Sequence, residues 1–397
     1  MAKRQSFEII VAGAGPVGLL FAARLMRQQA DVVIRIIDAG KPARWQAAEP
    51  DVRVYALSRE SQWLFGELWP EIAARRISPY RRMRVFAGES PASRSAISFD
   101  AADIGEPDLG HIVEDNLLRT VLLNYLASVG VETSFGSAVD ALTQRDGKVR
   151  LTTSDGLTLT TDLVVGADGA DSKVRVAAGI DIVQKTYGQR ALVTHVVTER
   201  PHAATAWQRF LPDGPLAFLP LSDGRSSIVW TNSEAEVERL LTLDEASFNN
   251  ELQTASAGIL GRLGPSGPRL AFSLQLKHAT RYSGPGIALI GDAAHTVHPL
   301  AGQGMNLGLR DAAVLADTLI AARQAGEYPA DDLVLRRYAR AQRARNLGMQ
   351  LAFDGLNELF GRRLPAWAAP LRDLGMAMVE QVEPAKRLLM RRALGVD

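Results

Sequence analysis

The first long apolar run is short enough to be a single buried strand. Phe7–Ala12 is apolar apart from Glu8, and it runs straight into Gly13-Ala14-Gly15-Pro16-Val17-Gly18. Beyond the glycines the apolar spacing changes to three and four, with Val17, Leu20, Phe21 and Leu25 on one helical face. Residues 32–37 form a second apolar strand, broken only by Arg35, that stops at Asp38, twenty residues past Gly18. Two further short strands are predicted at 162–165 and 287–290, each leading into a glycine turn. The stretches 76–104 and 181–280 have a different texture, with strand-like segments at 84–86, 191–197, 207–211 and 227–230. From 336 onward the pattern reads as helical. The strand–glycine segments are far apart in sequence yet must meet, so the expected fold is α/β, a Rossmann-like domain with an inserted α+β, antiparallel-sheet domain. The expected pieces are 1–75, 105–180 and 281–325 for the nucleotide domain and 76–104 with 181–280 for the sheet domain. A C-terminal helical region, 326–397, completes the chain.

The glycine spacing has a mechanical reading. Gly13 permits the tight turn, Gly15 lets the backbone approach a pyrophosphate, and Gly18 lets the helix pack close on the strand. The N–H groups and dipole of the helix start favour the anion. Asp38 stands where a carboxylate accepts the hydroxyls of an adenosine ribose. Gly284-Pro285-Gly286 precedes a strand, so it is a turn and not a second fingerprint. That leaves one firmly held dinucleotide. The turn Gly166-Ala167-Asp168-Gly169 puts backbone amides, and the Asp168 side chain, near a pyrophosphate or ribose.

The segment from Gly291-Asp292-Ala293-Ala294-His295 to His298-Pro299-Leu300-Ala301-Gly302-Gln303-Gly304-Met305-Asn306-Leu307-Gly308 decides for FAD. Asp292 is placed to receive a ribityl hydroxyl. Glycines 302, 304 and 308 let the backbone lie flat against a planar ring. A helix starting near Gly304 aims its positive end at the pyrimidine side of a flavin and stabilises the charge of the reduced ring.

Composition narrows the alternatives. Zero cysteine among 397 residues excludes a disulfide scaffold, a zinc-thiolate site, a thiol nucleophile and a Cys-ligated iron–sulfur cluster. A net charge of +1 provides no global field for nucleic acid. His295 and His298 lack a third partner with suitable spacing, so no metal site is expected. No apolar run approaches the roughly 18 residues of a spanning helix. The patch after Lys3 and Arg4 is too short for a signal peptide, so the expectation is a soluble cytoplasmic protein. Residues 336–397 hold 12 basic and 6 acidic residues, with apolar side chains between them. That mixture suits a surface against anionic lipid, on the inner face of the cytoplasmic membrane, or against a partner. A helix with one core face and one solvated basic face carries the same pattern.

Together these segments resemble the class A, single-component FAD-dependent aromatic hydroxylases, and within them the UbiH-type ubiquinone-biosynthesis monooxygenases. The resemblance rests on His298, Pro299, Ala301, Gly302, Gln303, Gly304, Asn306, Gly308 and Asp311, and on 53–58, 110–114 and 218–223. It implies a para-hydroxybenzoate hydroxylase-like fold. It implies cofactor contacts at Arg53, Gln303, Gly304, Met305 and Asn306 and, more weakly because Asp115-Asn116 departs from the family pattern, at Asn116. It also implies a sheet that covers the flavin, with Trp207, Phe210, Phe218 and Trp230 as candidate walls or as ordinary core.

The chemistry it implies is hydroxylation of a polyprenylated phenol. NAD(P)H is the transient reductant, dioxygen the oxidant, and a flavin C4a-hydroperoxide delivers the oxygen. Other ubiquinone-biosynthesis proteins are implied partners. His298 is either part of a proton path or a structural hydrogen bond in its loop, and the Pro299 carbonyl is the polar group offered to substrate. Two alternatives stay open: an FAD hydroxylase or epoxidase of another aromatic or terpenoid compound, and a non-catalytic FAD-bearing subunit.

Overall fold

A computed structural model describes residues 6–28, 31–88, 96–297 and 303–360, together with Lys386, Arg387, Met390 and Arg391. The chain begins β1 (Phe7–Ala12), α1 (Pro16–Gln28), β2 (Val32–Asp38), β3 (Val54–Ser58), α2 (Arg59–Phe65) and α3 (Trp69–Ala73). It continues with β4 (Ser78–Tyr80), β5 (Arg82–Ala87), β6 (Ala96–Asp100), β7 (Gly110–Glu114), α4 (Asp115–Ser128) and β8 (Glu132–Phe135). Then come β9 (Val139–Arg145), β10 (Lys148–Thr153), β11 (Thr158–Thr161), β12 (Leu163–Gly166) and α5 (Lys173–Ala177). The next part holds β13 (Ile182–Thr198), β14 (Thr205–Leu211), β15 (Gly214–Pro220), β16 (Ser226–Ser233), α6 (Glu234–Thr242) and α7 (Glu245–Ser256). The last elements are β17 (Leu263–Ser266), β18 (Leu270–Ala279), β19 (Ser283–Gly284), β20 (Ile287–Leu289), β21 (His295–Thr296), α8 (Gln303–Gln324) and α9 (Asp332–Phe360).

Two large sheets organise the described residues. One has the order β19-β20-β12-β1-β2-β8, and its inner strands run parallel. Both faces are largely covered, so these strands are mainly apolar: Ile9, Val11, Ile36, Leu163, Val164, Val165 and Leu289 are buried. The other sheet has the order β21-β18-β13-β16-β15-β14-β5-β6, with β17 paired to β13. Its strands alternate. Leu192, Leu216, Phe218, Ile228 and Trp230 pack on Val237, Leu240, Phe248 and Leu252 of α6 and α7, and the intervening residues face the other way. Two strands fall on sides of the division that their sequence position did not suggest. β4 pairs with β7 in a small sheet beside β3, and β21 joins the large antiparallel sheet.

Close packing explains several glycines. A Cβ on Gly18 would lie 2.2 Å from the carbonyl oxygen of Gly13, so α1 can rest on β1 only with glycine there. A Cβ on Gly308 would meet Val17 at 2.8 Å and the Cα of Gly291 at 3.2 Å. Gly308 therefore serves the contact of α8 with α1, not a flat surface for a ring.

Candidate active site

The order β20-β12-β1-β2 brings four strand ends side by side: the glycine turns after β1, β12 and β20, and Asp38 at the end of β2. This is the crevice beyond the carboxyl ends of parallel strands where open α/β sheets bind nucleotides. The turns are stitched together by Gly13 N donating to the Ile37 carbonyl (2.7 Å), Ala167 N to Ala12 (2.7 Å) and Ile290 N to Gly166 (2.9 Å). Gly13 adopts φ +113°, and a Cβ there would lie 2.2 Å from the Ala167 carbonyl oxygen. Around Gly15 a Cβ would meet nothing within 4 Å. The first glycine is thus required by protein atoms, and the second opens onto empty space.

That space is a single cavity of about 2060 Å³ that reaches from the glycine turns to the inner face of the antiparallel sheet. Ordinary small-molecule pockets are about 300–1,000 Å³, so the volume suits a dinucleotide and a second molecule together. Gly13, Gly15, Asp38, Arg53, Asp168, Asp292, Gln303, Gly304 and Met305 all line it. Asp38 is partly committed: Oδ2 accepts from Ala14 N (2.6 Å) and Oδ1 from Gly40 N (2.7 Å). Arg53 lies over the Phe272 ring at 5.1 Å. It sits at the end of a 46–53 loop pinned by the buried Arg76–Glu114 pair (2.7 Å). Arg76 also donates to the carbonyls of Gln46 and Glu49. The protein packed around Asp292 pushes its carboxyl pKa upward, against the pull of His295, Arg53 and Lys277, although the side chain is open to the cavity.

Three sequence-based expectations need correction, and a fourth, left open between wall and core, is divided. Asn306 does not line the cavity. Its Oδ1 accepts from Ser58 N (2.9 Å) and its Nδ2 donates to the Ala56 carbonyl (2.9 Å), so it ties α8 to β3. Asn116 also lies off the cavity, with its amide donating to Asp51 (3.2 Å). Its neighbours Asp115 and Arg119 reach the cavity instead. The Asp168 carboxylate is occupied by Ser172 Oγ (2.5 Å) and by the amides of Lys173 (2.7 Å) and Val174 (3.1 Å). It holds the turn and the start of α5, which leaves the backbone to face a ligand. Among the four aromatic wall candidates, Trp207 lines the cavity; Phe218 and Trp230 are core beneath α6 and α7, and Phe210 does not line it. The wall is made mostly of small residues, Ala191, Val193, Ala217, Ser227, Val229 and Thr231 among them. Small side chains leave the room, and large ones fill it.

His298, Pro299 and Gly302 lie outside the described residues. His295 is 1% exposed and bonds Asp311 at 2.5 Å, away from the cavity. Burial alone would lower its pKa. The Asp311 carboxylate and Asp292 reverse that and hold the imidazole above its ordinary value. Sequence reading missed Arg119, whose Nε donates to the Ala14 carbonyl (2.9 Å) and steadies the first glycine turn. Its signal was the Asp115–Arg119 spacing of four on α4. It also missed Tyr55, which lines the cavity and donates to Asp115 (2.8 Å), and Lys277, which lines it and pairs with Asp171 (2.7 Å).

A single-fingerprint FAD crevice that opens under an antiparallel sheet defines the class: FAD-dependent aromatic-ring monooxygenases. The FAD binding domain family matches residues 6–348. The chain is 40% identical to the ubiquinone hydroxylase UbiL of Rhodospirillum rubrum, over 98% of this chain and 89% of that protein. It is 37% identical to the 3-demethoxyubiquinol 3-hydroxylase of Escherichia coli K12, over 99% of both. The fold is similar to that of the p-nitrophenol 4-monooxygenase PnpA of Pseudomonas putida DLL-E4, with a TM-score of 0.79, 20% identity and 98% of each chain covered. The chain belongs to the FAD binding domain family, among the ubiquinone-biosynthesis hydroxylases.

Proposed function

We propose that this enzyme hydroxylates the ring of a polyprenylated phenol on the route to ubiquinone, with NAD(P)H as transient reductant and dioxygen as oxidant. The observation that carries the reading is the single cavity that joins the glycine turns to a sheet face of small residues. FAD, when bound, supplies the redox chemistry that activates dioxygen. The glycine turns, Asp38 and Asp292 would hold it, and the first turn of α8 presents backbone N–H groups to the cavity through Gln303, Gly304 and Met305. Asp292 is open to the cavity, where its carboxyl can accept a hydrogen bond from a hydroxyl. The sheet face excludes water from the reacting ring. A part for His298 in the proton path and for the Pro299 carbonyl toward substrate belongs to the same reading, both residues lying outside the described ones.

Among the described residues no helix is long and apolar enough to cross a membrane. A substrate with a long hydrocarbon tail is dissolved in lipid, so we place the exposed arginines of α9, such as Arg340 and Arg343, against anionic headgroups. Contact with other ubiquinone-biosynthesis proteins belongs to the same reading. The test is lipid-extract mass spectrometry of a strain lacking the gene. A prenylated precursor short of one ring hydroxyl is expected. Normal ubiquinone with no precursor overturns the assignment.

A further inference from the structure

The antiparallel sheet changes chemistry across its width on the side that faces the cavity. At β18 the lining includes Ser273, Gln275 and Lys277. Five and six strand steps away, at β5 and β6, the lining consists of Met83, Ile97 and Phe99, joined by Tyr80, Leu109 and Met390. At about 4.8 Å per step this far end lies about 29 Å from β18. Five of these residues (Ile97 is the exception) belong to a small hydrophobic cluster with Ala101 and Ile104, separate from the core under α6 and α7. Met390 comes from the C-terminal segment and is 4% exposed, and Lys386 approaches Asp103 at 3.9 Å on the same side.

Among the described residues, no charged side chain lines this end. A polar guest would lose its water there and leave most of its own groups without partners, which is unfavourable. Met83, Ile97 and Phe99 are only half-buried, so each shows bare hydrocarbon to the cavity. Covering that surface is favourable for an apolar guest.

We propose that the end of the cavity under β5 and β6, closed on one side by Met390, seats the isoprenoid tail of the substrate while the ring stays near the glycine turns. The proposal rests on the functional reading above. It makes Met83 and Ile97 specificity-determining residues for the tail, with no part in the chemistry at the ring.

The test is calorimetric binding of two phenols to FAD-loaded, oxidised protein without reductant, one phenol bearing a single prenyl group and the other a farnesyl tail. Wild-type protein is expected to bind the farnesylated phenol at least tenfold more tightly. Met83→Trp fills the far end and Ile97→Asn makes it polar. Each is expected to remove most of that advantage and to leave the affinity for the singly prenylated phenol within twofold. Retained FAD and an unchanged melting temperature report that each variant is folded, and either variant suffices. Equal wild-type affinities for the two phenols overturn the tail assignment alone, as does a parallel loss for both phenols in folded variants. Failure of wild-type protein to bind either phenol overturns the functional reading and the tail assignment with it.

Discussion

Gly13 and Gly15 stand two positions apart and meet opposite surroundings. A methyl group on Gly13 collides with the Ala167 carbonyl and needs an unfavourable φ, whereas one on Gly15 enters open space. Gly13→Ala is therefore expected to destabilise the protein even without cofactor, by about 2 kcal/mol or more. Gly15→Ala should leave the cofactor-free melting temperature unchanged and weaken FAD binding at least tenfold, about 1.4 kcal/mol. Melting curves and flavin titrations of both variants check this; equal loss of stability in the two would contradict it. These roles were legible because backbone geometry dictates where only glycine fits. The roles of Asp168 and Asn306 were not, because a short polar side chain serves a ligand or a neighbouring amide with the same atoms. Only the position of the partners, Lys173 and Val174 for one and Ala56 and Ser58 for the other, distinguishes the two uses.

The elements around the third glycine turn are locked by a buried polar network. Asp311 on α8 accepts from Gly291 N (3.1 Å), from His295 (2.5 Å) and from Asn346 on α9 (2.9 Å), and Gln350 of α9 bonds His278 (2.6 Å) and the Lys277 and Thr296 carbonyls. His295 carries a raised folded-state pKa, so the stability it contributes is complete below pH 6.5 and is lost as pH rises through the folded value. Chemical denaturation between neutral and mildly alkaline pH is expected to show that decline in the wild type and a flatter profile in His295→Gln. An identical slope in both would remove His295 from the network's energetics. Strand alternation was readable in 207–230, yet the wall was sought among its aromatic residues. Size drew attention to Phe218 and Trp230, although residues of one parity share a face and the opposite parity holds the small side chains. The pairing of β21 with β18 was beyond reach, since two residues carry no period.

For the molecule as a whole, the joint between the antiparallel sheet and the nucleotide domain contains a buried histidine. His195 on β13 is 3% exposed, its Nε2 has no hydrogen-bond partner among the described residues, and Arg225, Asp223, Asp51 and Arg76 surround it. Burial first, and then Arg225, bring its pKa down to about 4. The unfolded chain binds a proton near pH 6.5 and the folded one does not, so stability is full above pH 6.5 and falls as pH drops toward 4. The expected loss is on the order of 3 kcal/mol. Thermal unfolding of wild type and His195→Gln across that interval measures it, and parallel acid profiles would rule it out.

The neighbouring positions of β2, β1, β12 and β20 have a consequence in time. β1 leaves the ribosome well ahead of its partner β12, which follows about 150 residues later, and the turn after β20 comes later still. At about 5–20 residues per second, the nascent chain waits many seconds with its first glycine turn exposed. Capture of the yellow cofactor thus waits for the turn after β20, and gain of flavin marks the arrival of that turn, not of the first.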